Sequence, residues 1–286
     1  MPPVTRLAID MTATLIRVVD GALGGSMRCG SGATPAGSLI GGKVQDVHAV
    51  GLALRQLLAR SEIHETRALI AASDVMATFR VLKLPPAATD QDVDSTVARE
   101  LPLDPERMST RWLDLTPGQD HRAVYAVTWD RSLVKAIADA VRFAGLDPIV
   151  IDLKSACLAR TVAEPTCVVL DLSSNPVEIV LVDGHVPQVW QSFQLDVPVG
   201  DDAGPALAGP LRTVLRFYER RRDTEFVPSA PILIAGEQVL SPRATYALSK
   251  QLNHPVLPLP IPARVPTEIR YSTYLTCLGL LMRRNP

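Results

Sequence analysis

Two segments that lie far apart in this chain place an aspartate and several hydroxyl side chains in the same order. In each segment an apolar run ends in Asp, a short turn carries hydroxyl groups, and a second apolar run follows. The polar residues are Asp10, Thr12 and Thr14 in the first segment and Asp171, Ser173 and Ser174 in the second. Backbone N–H groups of such turns can wrap a phosphate, and the carboxylate can orient a water bound to magnesium. The pattern predicts two hairpins that face each other across a cleft, with a phosphate-bearing ligand at the turns.

The residues next to the two aspartates weaken this prediction. A turn that approaches a phosphate closely favours glycine, because a side chain would hold the backbone away from the ligand. Met11 and Leu172 occupy those places, and Pro176 removes an amide donor from the second turn. The alternative is two structural hairpins in which Asp10 and Asp171 cap their turns by side-chain hydrogen bonds. This alternative is the favoured interpretation of the two segments.

Two glycine-containing segments offer weaker nucleotide signals. Gly236 and Glu237 follow an apolar strand and resemble a turn that could pack beneath a nucleotide base, but a plain entry into the next helix explains them equally. Residues 37–44 nearly spell a phosphate-binding loop that ends in Gly-Lys-Ser/Thr. Val44 stands where a hydroxyl must hold magnesium, and no buried strand precedes the loop. We therefore expect no such loop here.

The composition excludes several classes of protein. The chain has 286 residues, 47% hydrophobic and 21% charged, with a net charge of −1, so neither nucleic acid nor an anionic membrane is attracted by overall charge. No apolar run reaches the ~18 residues that span a bilayer, and no signal segment is expected. The four cysteines and five histidines are scattered, so we assign no metal site and no catalytic residue. The pattern is that of a cytosolic globular protein.

The elements that must position the two aspartates follow from apolar periodicity and from turn residues. Strands are predicted at residues 4–10, 13–19 and 67–71, and a helix through 47–58. Residues 21–42 are predicted as a flexible hairpin or loop, with a short possible strand around 27–29. A β-α-β-β-α block follows, with Thr89 and Asp130 as helix caps and Pro102 as a helix stop. A strand at 148–153 and a helix at 154–162 lead into the second half. That half is predicted to hold strands at 167–171, 177–182, 186–193 and 231–236 and helices at 205–222, 242–252 and 271–284.

Several stretches, taken in order, resemble one known family. The most specific is residues 140–152, which match the exit from an inserted subdomain. The others are residues 8–10 with 15–19, 42–58, 79–85, 98–103, 156–160 and 278–280. Together they resemble the PilM family of type IV pilus assembly proteins, relatives of the division protein FtsA within the actin-like ATPase fold. The resemblance is one of pattern and runs over nearly the whole chain.

The resemblance implies an α/β, actin-like (ribonuclease H-like) fold of duplicated domains. The first lobe, 1A, would hold residues 1–72 and 147–163, an inserted α/β subdomain of the 1C type would hold 73–146, and the second lobe, 2A, would hold 164–286. Only residues 194–204 separate the second meander from the helix that follows, which is too short for the family's subdomain 2B. Subdomain 2B should therefore be mostly absent, and the nucleotide cleft should lack one wall.

The resemblance also implies a function. The protein would be a cytosolic scaffold at the inner face of the cell membrane, associated with it only through partners. It would bind the tail of a PilN-like membrane protein in a groove bordered by strands near 78–84 and 123–129, and it would communicate with pilus motor ATPases. Asp10, Thr12, Thr14, Asp171, Ser173, Ser174, Gly236 and Glu237 would be vestigial nucleotide-binding residues, with no cofactor expected.

Two alternatives remain from the residues themselves. One is an active actin-like ATPase that binds Mg-ATP between the lobes, with Asp10 and Asp171 around the magnesium ion. The other is a phosphotransferase of the sugar-kinase type on the same fold, for which no catalytic aspartate can be named.

Overall fold

Two sheets of the same topology form the body of the protein. The structure, a computed structural model, describes residues 6–101, 104–115, 120–222, 225–262 and 264–283. The elements of the first half are β1 (Arg6–Met11), β2 (Leu15–Gly21), β3 (Met27–Ala33), β4 (Leu39–Ile40), β5 (Lys43–Val44), α1 (Val47–Arg60), β6 (Arg67–Ala72), a 3₁₀ turn (Asp74–Met76), β7 (Ala77–Leu84), α2 (Asp90–Glu100), β8 (Met108–Asp114), β9 (Arg122–Asp130) and α3 (Arg131–Phe143). Those of the second half are β10 (Asp147–Leu153), α4 (Lys154–Thr161), β11 (Cys167–Asp171), β12 (Val177–Asp183), β13 (Val186–Phe193), α5 (Ala203–Arg222), β14 (Ile232–Ala235), α6 (Pro242–Leu252), β15 (Val256–Pro258) and α7 (Tyr271–Leu281).

The duplication that the two aspartate segments predicted is present in the sheets. The first sheet has the order β10-β6-β1-β2-β3 and the second the order β13-β12-β11-β14-β15. In each, an antiparallel meander of three strands is extended by two parallel strands on the side of its first strand. Both faces of each sheet are covered, so β1 and β11 are apolar along their length and place alternate residues in different cores.

Two helices, α4 and α7, form a layer that both sheets share. Cys157 of α4 and Cys277 of α7 pack on the first sheet, whereas Leu158 and Leu275, one turn or less away, pack on the second. The outer face of the first sheet is covered by α1 and α3, and that of the second by α5 and α6. The two lobes therefore share a continuous interior, and the ends of β1 and β11 lie close to each other.

A third sheet, antiparallel with the order β7-β9-β8, lies between β6 and β10 in sequence. Helix α2 packs on it through Val93 and Val97. The predicted capping box is present, since the Thr89 side chain accepts from the Asp92 amide and the Asp92 side chain accepts from the Thr89 amide. Helix α3 begins at the predicted cap Asp130 and buries its apolar stripe against the first sheet.

The segment 21–42, predicted as a flexible hairpin or loop with a short possible strand around residues 27–29, is more regular than that. β3 is a full seven-residue strand that completes the first meander, and β4 and β5 form a short hairpin after it. The full length of the strand was not predicted because it is rich in glycine and serine, which have low β propensity. A Cβ at Gly30 would collide with the side chain of Ser61. The glycine is selected by the close approach of the end of α1, which is a tertiary contact.

Residues 194–202 connect β13 to α5 without a helix or strand of their own. Among the residues described, no helix is both long enough and apolar enough to cross a bilayer. The predicted start of the first strand at residue 4, the helix stop at Pro102 and the helix end at residue 284 lie outside the described residues.

Candidate functional site

The turns of the two Asp-headed hairpins meet across a small cleft. Asp10, Thr12 and Thr14 of the first lobe line it from one side, and Ser174 lines it from the other. The cavity has a volume of about 120 Å³, below the roughly 300–1,000 Å³ of ordinary small-molecule sites. Asp171 and Ser173 do not line this cavity, and Gly236 and Glu237 open into another cavity beside α6. Four of the eight predicted nucleotide residues therefore line this cavity.

A buried lysine lines this cleft and pairs with two carboxylates. Lys154, the first residue of α4, places its Nζ 3.0 Å from Asp171 Oδ2 and 3.3 Å from Glu178 Oε1, both of the second lobe. Burial lowers the pKa of Lys154, but Asp171, Glu178 and Asp10 outweigh it, so the net shift is upward. Burial raises the pKa of Asp171, but Lys154 and Ser173 outweigh it, and that carboxyl stays ionised. Burial also raises the pKa of Glu178, with a net upward shift.

A buried arginine makes a second connection between the lobes. Arg17 Nη1 lies 3.4 Å from Asp10 Oδ2. Arg17 Nη2 donates to the Ser173 carbonyl at 3.4 Å and lies 3.7 Å from Glu237 Oε1. The carboxylates of the cleft are therefore paired with the chain's own cations. Among the described residues, no group of three or more His, Cys, Asp or Glu side chains could hold a metal ion.

The two turns are closed by different residues. Asp171 Oδ1 accepts from the Ser173 amide at 3.0 Å and from the Ser173 hydroxyl, which is the capping role that the structural alternative assigned to it. In the first turn Thr12 Oγ1 accepts from the Leu15 amide at 3.0 Å, while Asp10 pairs with Arg17. The capping role predicted for Asp10 is thus taken by Thr12, because Asp10 pairs instead with Arg17, its neighbour across the β1–β2 pair.

Gly236 is required by packing within its own lobe. Its φ of +99° disfavours residues with a side chain, and a Cβ there would collide with the backbone at Leu172 and Ser173. The glycine lets the end of β14 lie directly against the second turn. This role accounts for Gly236 without a bound nucleotide.

Sequence reasoning missed Lys154 and Arg17. Each is a long cation within an apolar stretch, where charged side chains are found only when they are paired. That signal marks both residues as buried and paired, but the partners are up to 220 positions away and cannot be read locally.

A second, larger cavity lies between the first sheet and the third sheet. It has a volume of about 350 Å³. Its walls are Arg111 and Leu113 of β8, Tyr125, Val127 and Trp129 of β9, and Ile151, Asp152 and Leu153 of β10, together with Ala72, Met76, Ala77, Val134 and Arg283. We call this cavity the groove. Its lining is mostly apolar. Asp152 and Arg283 form a charged side, which we call the floor of the groove.

The two strands predicted to border a peptide groove contribute differently to the lining of this cavity. Residues 123–129 of β9 contribute three lining side chains, whereas none of residues 78–84 lines it. Ala77 at the start of β7, alternate residues of β9, and Arg111 and Leu113 of β8 lie on one face of the third sheet, and this face forms one wall of the groove. β7 also contacts β13 of the second sheet. β8 and β10 are both terminal strands of their sheets, so each offers unpaired backbone groups along one edge.

The floor of the groove holds a chain of ion pairs. Asp152 Oδ2 accepts from Arg160 Nη2 at 2.6 Å and from Arg283 Nη1 at 2.7 Å. Two guanidinium groups therefore share one carboxylate, which leaves an excess of positive charge at the floor. On the opposite wall Leu113 is 65% exposed, a large value for a leucine in a strand.

Comparison with known proteins identifies the fold. No family model matches the sequence, and no curated protein matches it. A Bacteroides thetaiotaomicron protein described as having an actin-like ATPase fold and unknown function has a TM-score of 0.54 at 10% identity, covering 98% of this chain and 96% of that one. The fold is thus the duplicated actin-like fold.

The structure is also similar to that of PilM. The PilM-PilN type IV pilus biogenesis complex has a chain that aligns with a TM-score of 0.76 and 21% identity, covering 98% of both chains. The cytoplasmic domain of EpsL, an inner membrane component of the type II secretion system of Vibrio cholerae, aligns with a TM-score of 0.56 and 12% identity, covering 99% of this chain and 97% of that one. The chain is therefore a PilM-like, actin-like protein in fold.

Proposed function

We propose that this protein is an assembly component of a type IV pilus or of a related type II secretion machine, and that it works by binding protein segments. In this proposal it lies at the cytoplasmic face of the inner membrane and binds the cytosolic tail of a PilN-like membrane protein. Support comes from the PilM-like fold, from the EpsL-like fold, and above all from the groove between the first and third sheets.

The groove has the features that an extended peptide needs. The unpaired edges of β8 and β10 can form main-chain hydrogen bonds, which give affinity without regard to sequence. Apolar side chains such as Leu113, Val127 and Ile151 can receive alternate side chains of the peptide and give specificity. A cavity of about 350 Å³ accommodates a few side chains rather than a folded domain.

A binding assay with the tail of a PilN-like protein tests the proposal. The probe is a fluorescein-labelled synthetic peptide with the sequence of the cytosolic tail of a PilN-like protein from the same organism. We expect saturable binding in the micromolar range, weakened at least tenfold by Leu113→Asp, which puts a charge on the apolar wall. Ile261→Asp is the matched control, because Ile261 is 62% exposed and does not line the groove. Absence of binding at high micromolar concentration would contradict the proposal.

We further propose that the protein binds ATP and magnesium poorly or not at all, and that any contact with motor ATPases is made through its surface. The cleft is small, and Lys154 and Arg17 already neutralise its carboxylates. The alternative is an active ATPase, which the facing positions of Asp10 and Ser174 favour. Calorimetry with Mg-ATP separates the two: no heat of binding is expected, and submicromolar binding lost in Asp171→Ala with the fold intact would establish the alternative.

A further inference from the structure

Two buried hydrogen-bond donors at the groove have no partner among the described residues. The hydroxyl of Tyr125 and the Nε of Arg283 are both inaccessible to solvent, and no acceptor in the described part of the chain reaches either of them. Both side chains line the groove. A buried donor without an acceptor carries a desolvation cost, so most such groups in native structures are paired. Two of them beside one cavity indicate that an acceptor arrives from outside the chain.

The charge around these donors defines the chemistry of that acceptor. Asp152 is shared by Arg160 and Arg283, and the exposed side chain of Arg111 lies on the opposite wall, so positive charge is in excess. Burial raises the pKa of Tyr125 well above its usual value, and Asp74 and Asp152 raise it further, so the hydroxyl keeps its proton and can donate. Donors in a positive environment select an oxygen acceptor over an amine or a hydrocarbon.

We propose that Tyr125 and Arg283 form a polar subsite of the groove that recognises one carboxylate or carboxamide side chain of the bound peptide. The Tyr125 hydroxyl and the Arg283 Nε both donate to its oxygens, while Arg283 Nη1 stays on Asp152. Access requires the side chains above the two donors to change rotamer, a common change when a peptide binds. The inference rests on the proposed function, because it names what the peptide presents to the groove.

The subsite gives the bound peptide a register. Main-chain pairing along β8 or β10 would accept a peptide shifted by two residues, since side chains repeat with that period along a strand. One polar side chain that must reach two buried donors fixes a single position. A peptide with a hydrocarbon side chain there would leave both donors unpaired and would be discriminated against.

A double-mutant cycle between protein and peptide tests the subsite. The probe is the same labelled tail peptide, together with a series in which each Asp, Glu, Asn or Gln is replaced in turn by Leu. We expect one replacement to weaken binding to the wild-type protein about tenfold and to have little effect on Tyr125→Phe, which lacks the hydroxyl. Arg283→Lys, which keeps the charge for Asp152 but removes Nε, should show the same coupling. Tyr246→Phe is the control, since Tyr246 is 65% exposed on α6.

A stability measurement separates recognition from a structural role. Because the Tyr125 hydroxyl is unpaired in the free protein, Tyr125→Phe should leave the Tm unchanged or raise it while it weakens peptide binding. A fall of several degrees in Tm, or equal coupling to every peptide position, would overturn the subsite. If the wild-type protein binds no tail peptide, the proposed function itself fails; if it binds but shows no coupling, the subsite alone fails.

Discussion

Asp74 shows how one residue makes the stability of this protein depend on pH. Its carboxyl group is buried where the chain leaves the first sheet for the third. It accepts from the Ser155 amide at 2.9 Å and from the Ser155 hydroxyl, which lies at the start of α4. Burial raises the pKa of Asp74 to about 7, against the lowering effect of the Ser155 hydrogen bonds, because desolvation is the larger effect.

The direction of the pH effect follows from the sign of this shift. In the unfolded chain the carboxyl loses its proton near pH 4, whereas in the folded protein it keeps it to about pH 7. The folded state therefore binds more protons between these values, and the free energy of unfolding falls as the pH rises through that window. We expect a loss of up to about 4 kcal/mol between pH 4 and pH 8 from this group alone. Asp74→Asn should remove this part of the slope and make the protein more stable than wild type at pH 8.

Urea denaturation at a series of pH values from 4 to 8 measures this slope. Asp201→Asn is the control because Asp201 is exposed in the loop before α5, and that variant should keep the wild-type slope. Parallel curves for wild type and Asp74→Asn would show that the Asp74 carboxyl is ionised in the folded protein across this range, contrary to the expectation.

At the scale of elements, the shared layer of α4 and α7 depends on a glycine. A Cβ on Gly279 of α7 would overlap the carbonyl group of Cys157 of α4, and backbone cannot turn aside as a side chain can. The two helices therefore approach more closely at this point than any side chain at position 279 would allow, and both sheets pack against them. A change in their separation would be transmitted to both cores, because packed interiors have few voids to absorb it.

Gly279→Ala should therefore destabilise the protein, although alanine has the higher helix propensity. We expect a loss of about 2–3 kcal/mol from overpacking. Gly209→Ala is the control, since Gly209 lies within α5 with open space at its Cβ. The higher helix propensity of alanine is opposed there by Pro210, which disfavours a helical residue with a side chain before it, so stability should change by no more than about 1 kcal/mol. Thermal unfolding of both variants tests the pair, and a neutral Gly279→Ala would show that the helices can move apart freely.

The sequence predicts those elements whose signals are local and misses features that depend on contacts between distant elements. Helices with strong local signals were predicted to within a few residues, such as α2 with its Thr89 and Asp92 box and α6 with Ser241 before Pro242. These caps depend on neighbours within four positions along the chain. Only residues 27–29 of β3 were indicated as a possible strand, because the glycine at position 30 reflects the close approach of Ser61, a contact between elements. Local pattern cannot show a residue that is selected by a partner far away in sequence.

In the candidate sites too, contacts between residues far apart in sequence were not predicted. The facing of Asp10 and Ser174 was predicted, because the duplicated hairpins imply it. The pairing of Lys154 with Asp171 was not, since it requires the lobes to be placed first. For the groove, β9 was predicted as a border, but β8 was not, because the order of strands in the third sheet cannot be derived from alternation within each strand.

At the scale of the whole molecule, the two lobes are joined by buried charge as well as by apolar packing. Lys154 belongs to the segment that links them, and its ammonium group is buried together with Asp171 and Glu178. Moving these three groups out of water costs several kcal/mol per ion, and only their mutual attraction offsets it. Lys154 therefore provides the counter-charge for Asp171 and Glu178, and these carboxylates need no bound cation.

Removal of this cation should weaken the whole fold. Lys154→Met keeps the length and apolar stem of the side chain but leaves Asp171 and Glu178 buried without a counter-charge. Breaking one partner of a buried pair costs about 3–5 kcal/mol, a large part of the 5–15 kcal/mol that stabilises a typical domain. Lys135→Met provides the comparison, because Lys135 is 73% exposed in a helical ion pair with Asp139, and its loss should change stability by no more than about 0.5 kcal/mol. Chemical denaturation of both variants at neutral pH measures the difference; equal stabilities would mean that water reaches the Asp171 carboxylate and that the lobes are held by their apolar layer alone.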